Sequence, residues 1–375
     1  MKKWPTKPLG EVTLCVDNRR IPVKESDRLK RAGSVPYYGA NGQVGWIDEP
    51  IYNEPLLLIA EDGGHFDEPE RGVAYTITGP SWINNHAHAL RADERKVRLG
   101  FLGYYFRHYN FRHYLKGTTR AKLNKSDLMR VPVPLPPLDE QERIVALLDE
   151  ADDLRKLRAQ ADERTASLVS AFFAEVFGDP ISNPKGWALR SFADIGTLDR
   201  GRSRHRPRDE ASLYGGRYPF IQTGDIANAD GVITTYSQTY SEKGLAQSRL
   251  WPAGTLCITI AANIGETAIL RFPACFPDSV VGFIPGEMVV ADYVRQWLVY
   301  IQSRLEDAAP QMAQKNINLK ILRELTIPVP PLALQNEFAT RVSEIRALEV
   351  AQANSREQLD GLFQALLHRA FRGEL

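Results

Sequence analysis

Residues Leu123 to Asp179 can be laid over Ile317 to Gly373 at a constant offset and without a gap. Leu123-Asn124 falls on Ile317-Asn318, Val133-Pro134 on Ile327-Pro328, Pro136-Pro137-Leu138 on Pro330-Pro331-Leu332, and Gln141 on Gln335. A second, weaker register joins what precedes each block: Trp4, Leu9, Glu11 and Val12 answer to Trp187, Phe192, Asp194 and Ile195. The chain therefore reads as a tandem duplication of one variable unit followed by one helical unit. Its 375 residues leave each copy long enough for its own core. The expected segments are a first variable domain over 1–135, a first long helix over 136–180, a second domain over 181–329 and a second long helix over 330–375.

The formal net charge is +1, so a polyanionic partner would have to be met by local basic patches rather than by bulk charge. Cys15, Cys257 and Cys275 form no C-x-x-C pair, which fits a reducing compartment. Met1-Lys2-Lys3 is followed by Trp4-Pro5-Thr6-Lys7-Pro8 rather than an apolar stretch, and the longest apolar run, Leu56 to Ala60, cannot span a bilayer. The expectation is a soluble, unprocessed, cytoplasmic protein with no membrane partner.

Leu138 to Phe177 holds neither proline nor glycine and is rich in strong helix formers, which predicts one long helix with Asp139 placed to cap it. Its apolar residues Ile144, Leu147, Ala151, Leu154, Ala161, Leu168 and Phe172 follow an a/d heptad interrupted by Arg158 and Thr165. Phe338, Ile345, Leu348, Leu359, Leu362 and Leu366 repeat that frame, with Gln352 and Ser355 as the polar middle. Two such stripes can bury each other as a coiled coil. The alternative is that each helix packs on its own domain, which asks for a wider apolar stripe. Short apolar runs such as Leu56–Ala60, Gly72–Ile77, Leu256–Ile260 and Ser279–Phe283, separated by turn residues, read as strands. Phe101–Tyr114 and Asp292–Asp307 read as one further helix in each unit, so both domains are α+β.

Gly117-Thr118-Thr119-Arg120-Ala121-Lys122-Leu123-Asn124 leading to Val133-Pro134-Leu135-Pro136-Pro137-Leu138-Asp139-Glu140-Gln141-Glu142 resembles the specificity subunit of type I restriction-modification systems. Phe177-Gly178-Asp179-Pro180, Asn183-Pro184-Lys185-Gly186-Trp187 and Cys275–Phe283 extend the likeness over the whole chain. The second copy departs from it where Ala333-Leu334 replaces Asp139-Glu140. The resemblance implies two tandem target-recognition domains held apart by two long antiparallel coiled-coil helices in a pseudo-two-fold arrangement. Each domain would read one half of a bipartite site in double-stranded DNA. It further implies two methyltransferase subunits docked on the helices and restriction subunits in the full complex, with S-adenosylmethionine, ATP and Mg used by those partners and no cofactor here. A helix of about 39 residues would be about 58 Å long, against about 34 Å for one DNA turn.

The clearest basic cluster is the loop bearing Arg200, Arg202, Arg204, Arg206 and Arg208, where arginine offers both phosphate contacts and bidentate reading of guanine. Arg19, Arg20 and Lys24 stand in the corresponding part of the first copy. Thr118, Thr119, Arg120 and Lys122, with Gln311, Gln314, Lys315 and Asn316 in the second copy, carry hydroxyl, amide and basic groups suited to positioning a DNA backbone. Tyr38, Asn41, Asn84, His86 and His88, with Gln222, Asp225 and Ser279, are polar residues at the ends of expected strands and candidates for base contact. The loops can instead be solvated surface or capping turns. His86-x-His88 has no cysteine or carboxylate at a familiar ligand spacing, so no metal is expected. Neither a G-x-x-x-x-G-K-[ST] loop nor a methyltransferase motif is present, which predicts a non-catalytic DNA-recognition subunit. The competing classes are a coiled-coil adaptor whose α+β domains bind protein and, against the missing motifs, a self-contained nuclease or methylase.

Overall fold

The computed structural model describes residues 4–68, 71–117, 121–261, 265–308 and 319–375, the side chains of 303–308 excepted. The chain divides into two compact units, Met1–Ala159 with Asn354–Leu375, and Gln160–Ala353. The division runs through both long helices rather than between the four expected segments, so each unit holds one variable domain and a stretch of each helix.

In the first unit the strands are β1 (Thr6–Pro8), β2 (Thr13–Cys15), β3 (Val35–Gly39), β4 (Gly42–Ile47), β5 (Tyr52–Asn53), β6 (Leu56–Ala60), β7 (Ala74–Ile77), β8 (Pro80–Ile83), β9 (Ala87–Ala92), β10 (Leu115–Lys116), β11 (Lys122–Leu123) and β12 (Pro132–Pro134). They form one sheet in the order β2-β9-β6-β7, a second in the order β4-β3-β8-β5, and the pairs β1-β12 and β10-β11. Every residue of β6 is buried, which is why its run is continuously apolar instead of alternating. The expected Phe101–Tyr114 helix is shorter, Leu99–Arg107, with a single 3₁₀ turn at Arg112–Tyr114. It is pinched between sheet and long helix: a β-carbon on Gly103 would stand 2.8 Å from Thr76 Cγ2, and one on Gly100 3.0 Å from Val145 Cγ1.

The second unit has β13 (Ala188–Ser191), β14 (Gly196–Arg200), β15 (Tyr214–Phe220), β16 (Val232–Ile233), β17 (Gln238–Tyr240), β18 (Leu256–Thr259), β19 (Thr267–Leu270), β20 (Val280–Pro285) and β21 (Thr326–Val329). Its main sheet runs β14-β20-β18-β19-β16, antiparallel except for β16 beside β19. The two domains therefore share a fold class and not a sheet order. They do share a clasp: β1 pairs antiparallel with β12, and β13 with β21, so each domain starts and ends on neighbouring strands just before its long helix.

The first long helix is not continuous. It runs Leu138–Ala166 and resumes at Leu168–Phe177. At the break Ser167 N and Oγ both donate to Arg164 O, at 3.3 and 2.8 Å, and two residues earlier Thr165 Oγ1 donates back to Ala161 O at 2.9 Å. Such hydroxyl bonds to the preceding turn compete with the helical ladder, and neither is visible in a propensity count. Asp139 is not the cap: Gln141 N already bonds Pro137 O at 3.0 Å, which puts Asp139 inside the first turn. The second helix, Leu332–Arg372, is unbroken.

The strict a/d frame is half right. Ile144 and Phe338 are buried and Leu147, Phe172, Ile345, Leu359 and Leu366 are half-buried, but Leu154, Leu168, Leu348 and Leu362 are 43–48% exposed. Ala151, a frame position, is covered as expected, but the other covered positions, Leu148, Phe173, Phe177, Val342, Phe363 and Ala370, lie outside the frame and join the domain cores. In the first unit Phe371 packs on Phe101 and Tyr105, each at 5.2 Å; in the second Phe338 meets Phe173 at 5.6 Å. Each helix stretch thus covers its domain as well as the other helix, which demands an arc wider than an a/d seam. The polar middle is paired. Gln352 Nε2 donates to Thr165 Oγ1 at 2.9 Å in the second unit, and Arg155 bonds Asp360 at 2.6 Å under the Phe363 ring in the first.

Gln141 and Gln335, fully buried, make the same three bonds. Gln141 Oε1 accepts from Arg98 N at 2.8 Å, and its Nε2 donates to Lys96 O and Pro136 O at 3.1 and 2.9 Å. Gln335 Oε1 accepts from Val290 N at 3.0 Å, and its Nε2 donates to Met288 O and Pro330 O at 3.0 and 2.8 Å. Gln141→Leu should therefore strand one N–H and two carbonyls, lowering stability of the first unit by about 2 kcal/mol. Urea unfolding of the purified variant checks this, and an unchanged midpoint would show the amide to be dispensable.

Candidate nucleic-acid interface

In the first unit most of the polar candidates converge on the segment after β6. Glu61 receives Arg20 at 2.8 Å and Lys122 at 3.0 Å, and Asp62 faces His86 Nδ1 at 2.5 Å. Asn41, in the two-residue turn between β3 and β4, donates to Gly63 O at 3.0 Å. Asn84 Oδ1 accepts from His86 N at 2.8 Å, and Asn84 N donates to Tyr38 O at 3.0 Å, tying β8 to β3. The strand ends thus bring Tyr38, Asn41, Asn84, His86 and Lys122 together. Arg19 lies apart, bonded to Glu54 at 2.7 Å over the Tyr52 ring, and Lys24 is exposed just before a short helix, Glu25–Arg28.

His88 and Arg20 do not reach the surface as readers would. His88 sits inside β9, paired with Ile59 and buried beneath the Asp17–Arg19 turn, with Nδ1 2.6 Å from Asp17 Oδ2 and Nε2 2.8 Å from Leu123 O. The Arg20 side chain is 13% exposed and also bonds Ala87 O at 2.7 Å. Both brace the face from behind. Burial raises the Asp17 carboxyl, but bonds from His88 and Ala89 N and the charges of His88 and Arg20 leave it below its ordinary value. Glu61 is likewise held low, burial being outweighed by Arg20 and Lys122. Cys15, Asp17 and His88 offer ligand-type atoms within 4.8 Å of one another, yet both His88 nitrogens are taken by oxygens and burial raises the Cys15 thiol, so the trio reads as a hydrogen-bonded brace.

In the second unit the arginine loop is tied down along its length. Arg202 N donates to Phe276 O at 3.0 Å, Ser248 Oγ to Arg202 O at 2.8 Å, His205 N to Gln247 Oε1 at 3.0 Å and Tyr214 OH to Arg208 O at 2.7 Å. Glu210, pulled down to about 2 by Lys243, Ser212 and His205, anchors its far end. Arg206 bonds Ser203 O and His205 O, each at 2.7 Å, and Arg208 pairs with Asp278 at 2.9 Å, while Arg200 and Arg204 are exposed. Gln222 and Asp225 form the capping box of the Thr223–Ala227 helix, Asp225 accepting from Gln222 N at 2.7 Å and Gln222 Nε2 donating to Gln238 at 2.7 Å. Ser279 is half-buried, its carbonyl accepting from Ile260 N at 2.9 Å. Thr118, Thr119, Arg120, Gln311, Gln314, Lys315 and Asn316 lie outside the described residues.

Sequence reasoning missed Glu61 and Asp62, the acids that organise the first cluster, and Arg249, stacked 3.9 Å over Trp251 and 3.2 Å from Asp199. Their partners are distant in sequence, so no local pattern marks them.

The type I restriction modification DNA specificity domain model matches residues 1–163 and again 184–359. The chain belongs to this family. It is 28% identical over 355 residues to a putative type I restriction enzyme specificity subunit of Haemophilus influenzae, covering 91% of this chain and 87% of that one. Its fold matches a chain from a type I restriction-modification system solved for its complex assembly and conformational transition (TM-score 0.62, 20% identity, 100% and 99% covered). It also matches the specificity subunit of M. genitalium (TM-score 0.61, 15% identity, 98% and 96% covered). Two tandem target-recognition domains with long helices are therefore the fold of this specificity subunit, and its family role is DNA recognition in a restriction system. Among the described residues no helix is long and apolar enough to cross a membrane.

The depressed carboxylates fix the sign of an acid response. The unfolded chain takes up protons near the ordinary values of 3.8 and 4.5 while folded Asp17 and Glu61 resist. Their contribution is therefore complete above those values and is lost as pH falls from about pH 5 through the depressed ones. The urea midpoint of the first unit should drop over that range, and Asp17→Asn should start lower and flatten the drop. A variant with the wild-type acid slope would remove Asp17 from the account.

Proposed function

We propose that each domain reads one half of a bipartite duplex-DNA site and that the long helices set the unread spacer and dock methyltransferase subunits. The carrying observation is that two different domain surfaces are mounted through the same junction: the two-strand clasp and the buried glutamine recur, while the polar clusters do not. That is what a reader with an exchangeable face and a fixed mount requires. The chain itself is non-catalytic in this reading. Methyl transfer with S-adenosylmethionine, and ATP- and Mg-dependent translocation and cleavage, belong to two methyltransferase subunits and to restriction subunits.

Docking is supported by leucines that the a/d frame assigned to a seam and that stand exposed. Leu154 and Leu348 occupy equivalent places in the two copies, as do Leu168 and Leu362, which suits two identical partners. These exposed apolar positions also favour a second reading, a protein-binding adaptor. Changing all four to serine should leave thermal stability nearly intact, because the side chains are exposed, and abolish co-purification of methyltransferase. Retained assembly would place the docking surface elsewhere.

The reading and spacer functions are tested together by methylome sequencing. Adding one matched heptad after Arg158 and one after Gln352 lengthens each helix by about 10 Å, equivalent to at most about three base pairs at roughly 3.4 Å per pair. The half-site sequences should persist while the gap between them grows. An altered half-site, or an unchanged gap in an active complex, would reject the ruler, and an absence of sequence-specific methylation with the unaltered chain would favour the adaptor.

A further inference from the structure

We infer that Arg200, where the arginine loop leaves β14, forms with Lys320 and Arg323 a second site of the second unit that holds a phosphate of the DNA backbone. Arg200 ends β14, and Lys320 and Arg323 lie one turn apart on the Leu319–Glu324 helix. With Leu319 and Glu324 they line an open cavity of about 570 Å³. Arg323 Nη2 donates to Leu198 O at 3.3 Å, which holds the helix side chain against β14. All three cations are exposed, and among the described residues neither Arg200 nor Arg323 has a carboxylate within ion-pair distance. The nearby Asp199 is taken up by Arg249 at 3.2 Å and Arg202 at 4.0 Å. Arg200 and Arg323 outnumber the single lining carboxylate, Glu324, which makes the cavity favour an anion. It offers nearly all donors, without the paired donor and acceptor that would discriminate bases, so the fitting ligand is a phosphodiester rather than a base edge.

The helix is a repeated element, but its cations stand in different places: Lys125 and Arg130 of the first copy correspond to Leu319 and Glu324. At the same offset the first copy has Ser126 and Met129 in place of Lys320 and Arg323, and Met129 lies so close to Gly10 that a β-carbon there would meet it at 3.3 Å. The first copy spends this position on packing and the second on charge, which makes the site a property of one domain and not of the mount.

This inference rests on the reading of the chain as a DNA-specificity subunit, and one titration separates the two. The full chain in complex with its methyltransferase subunits is titrated with a duplex carrying the methylated site, and with a scrambled duplex, across a salt series. The double variant Lys320→Ala/Arg323→Ala should bind the cognate duplex more weakly, with a log-log salt slope smaller by about 1.8 and an undiminished preference for the cognate sequence. The charge-keeping pair Lys320→Arg/Arg323→Lys should restore the slope, which a loss of folding would not allow. An unchanged slope with sequence preference intact overturns the phosphate site alone. A variant that loses methyltransferase while its DNA slope stays the same assigns the cavity to an acidic protein surface and overturns it equally. If the wild-type complex shows no sequence preference, the underlying reading fails and the phosphate site with it.

Discussion

The carboxamide of Gln141 accepts one backbone N–H and donates to two backbone carbonyls in a place that water does not reach. One of those carbonyls belongs to a proline that precedes the long helix, and the other two groups belong to the turn that starts the Leu99–Arg107 helix. The amide therefore fixes an angle. Proline cannot donate to an adjoining ladder, so the Pro136-Pro137 and Pro330-Pro331 segments would otherwise leave carbonyls unpaired at the point where domain meets helix. A glutamine supplies both polarities in one rigid plane, as neither glutamate nor leucine could. Its recurrence in the second copy, with partners at corresponding positions, means that the mount is the same however the domain differs.

The helices must satisfy two neighbours at once, the domain and the other helix. Phe363 shows how: its ring is covered by the first unit's core while Arg155 spans it and bonds Asp360. Thr165 and Gln352 do the corresponding job in the second unit with a neutral hydrogen bond. Polar pairs of this kind add little net stability but penalise every other register, since a slipped helix would bury them unpaired. The leucines outside the covered arc then remain available to another protein.

The duplication, the strand runs and the presence of long helices were legible because each is written in local pattern: offset identity, short apolar runs between turns, and an absence of helix breakers. What was illegible depended on choices between adjacent residues or on distant partners. Leu147 and Leu148, Phe172 and Phe173, and Leu362 and Phe363 are neighbouring apolar residues, and a heptad count alone cannot choose between them. Burial chose Leu148, Phe173 and Phe363, because the arc had to reach the domain. The break at Ser167 followed hydroxyl bonding that propensity does not encode. His88 looked like a strand-end polar residue, and became a buried brace because Asp17, 71 positions away, folds over it.

Near-neutral charge gives the candidate interface its character. In the first unit's cluster Arg20 and Lys122 are already partnered by Glu61, and the His86 imidazole is taken by Asp62, so any phosphate must compete with a carboxylate that hydrogen bonding keeps in place. Such a surface gains little from bulk attraction. It gains more where the geometry of donors matches a particular ligand, because only then do the new bonds repay the displaced ones. In the second unit the arginine loop is tied by its backbone, while Arg200 stands beside an open cavity and, among the described residues, has no carboxylate within ion-pair distance. The two domains are thus electrostatically unequal on identical mounts.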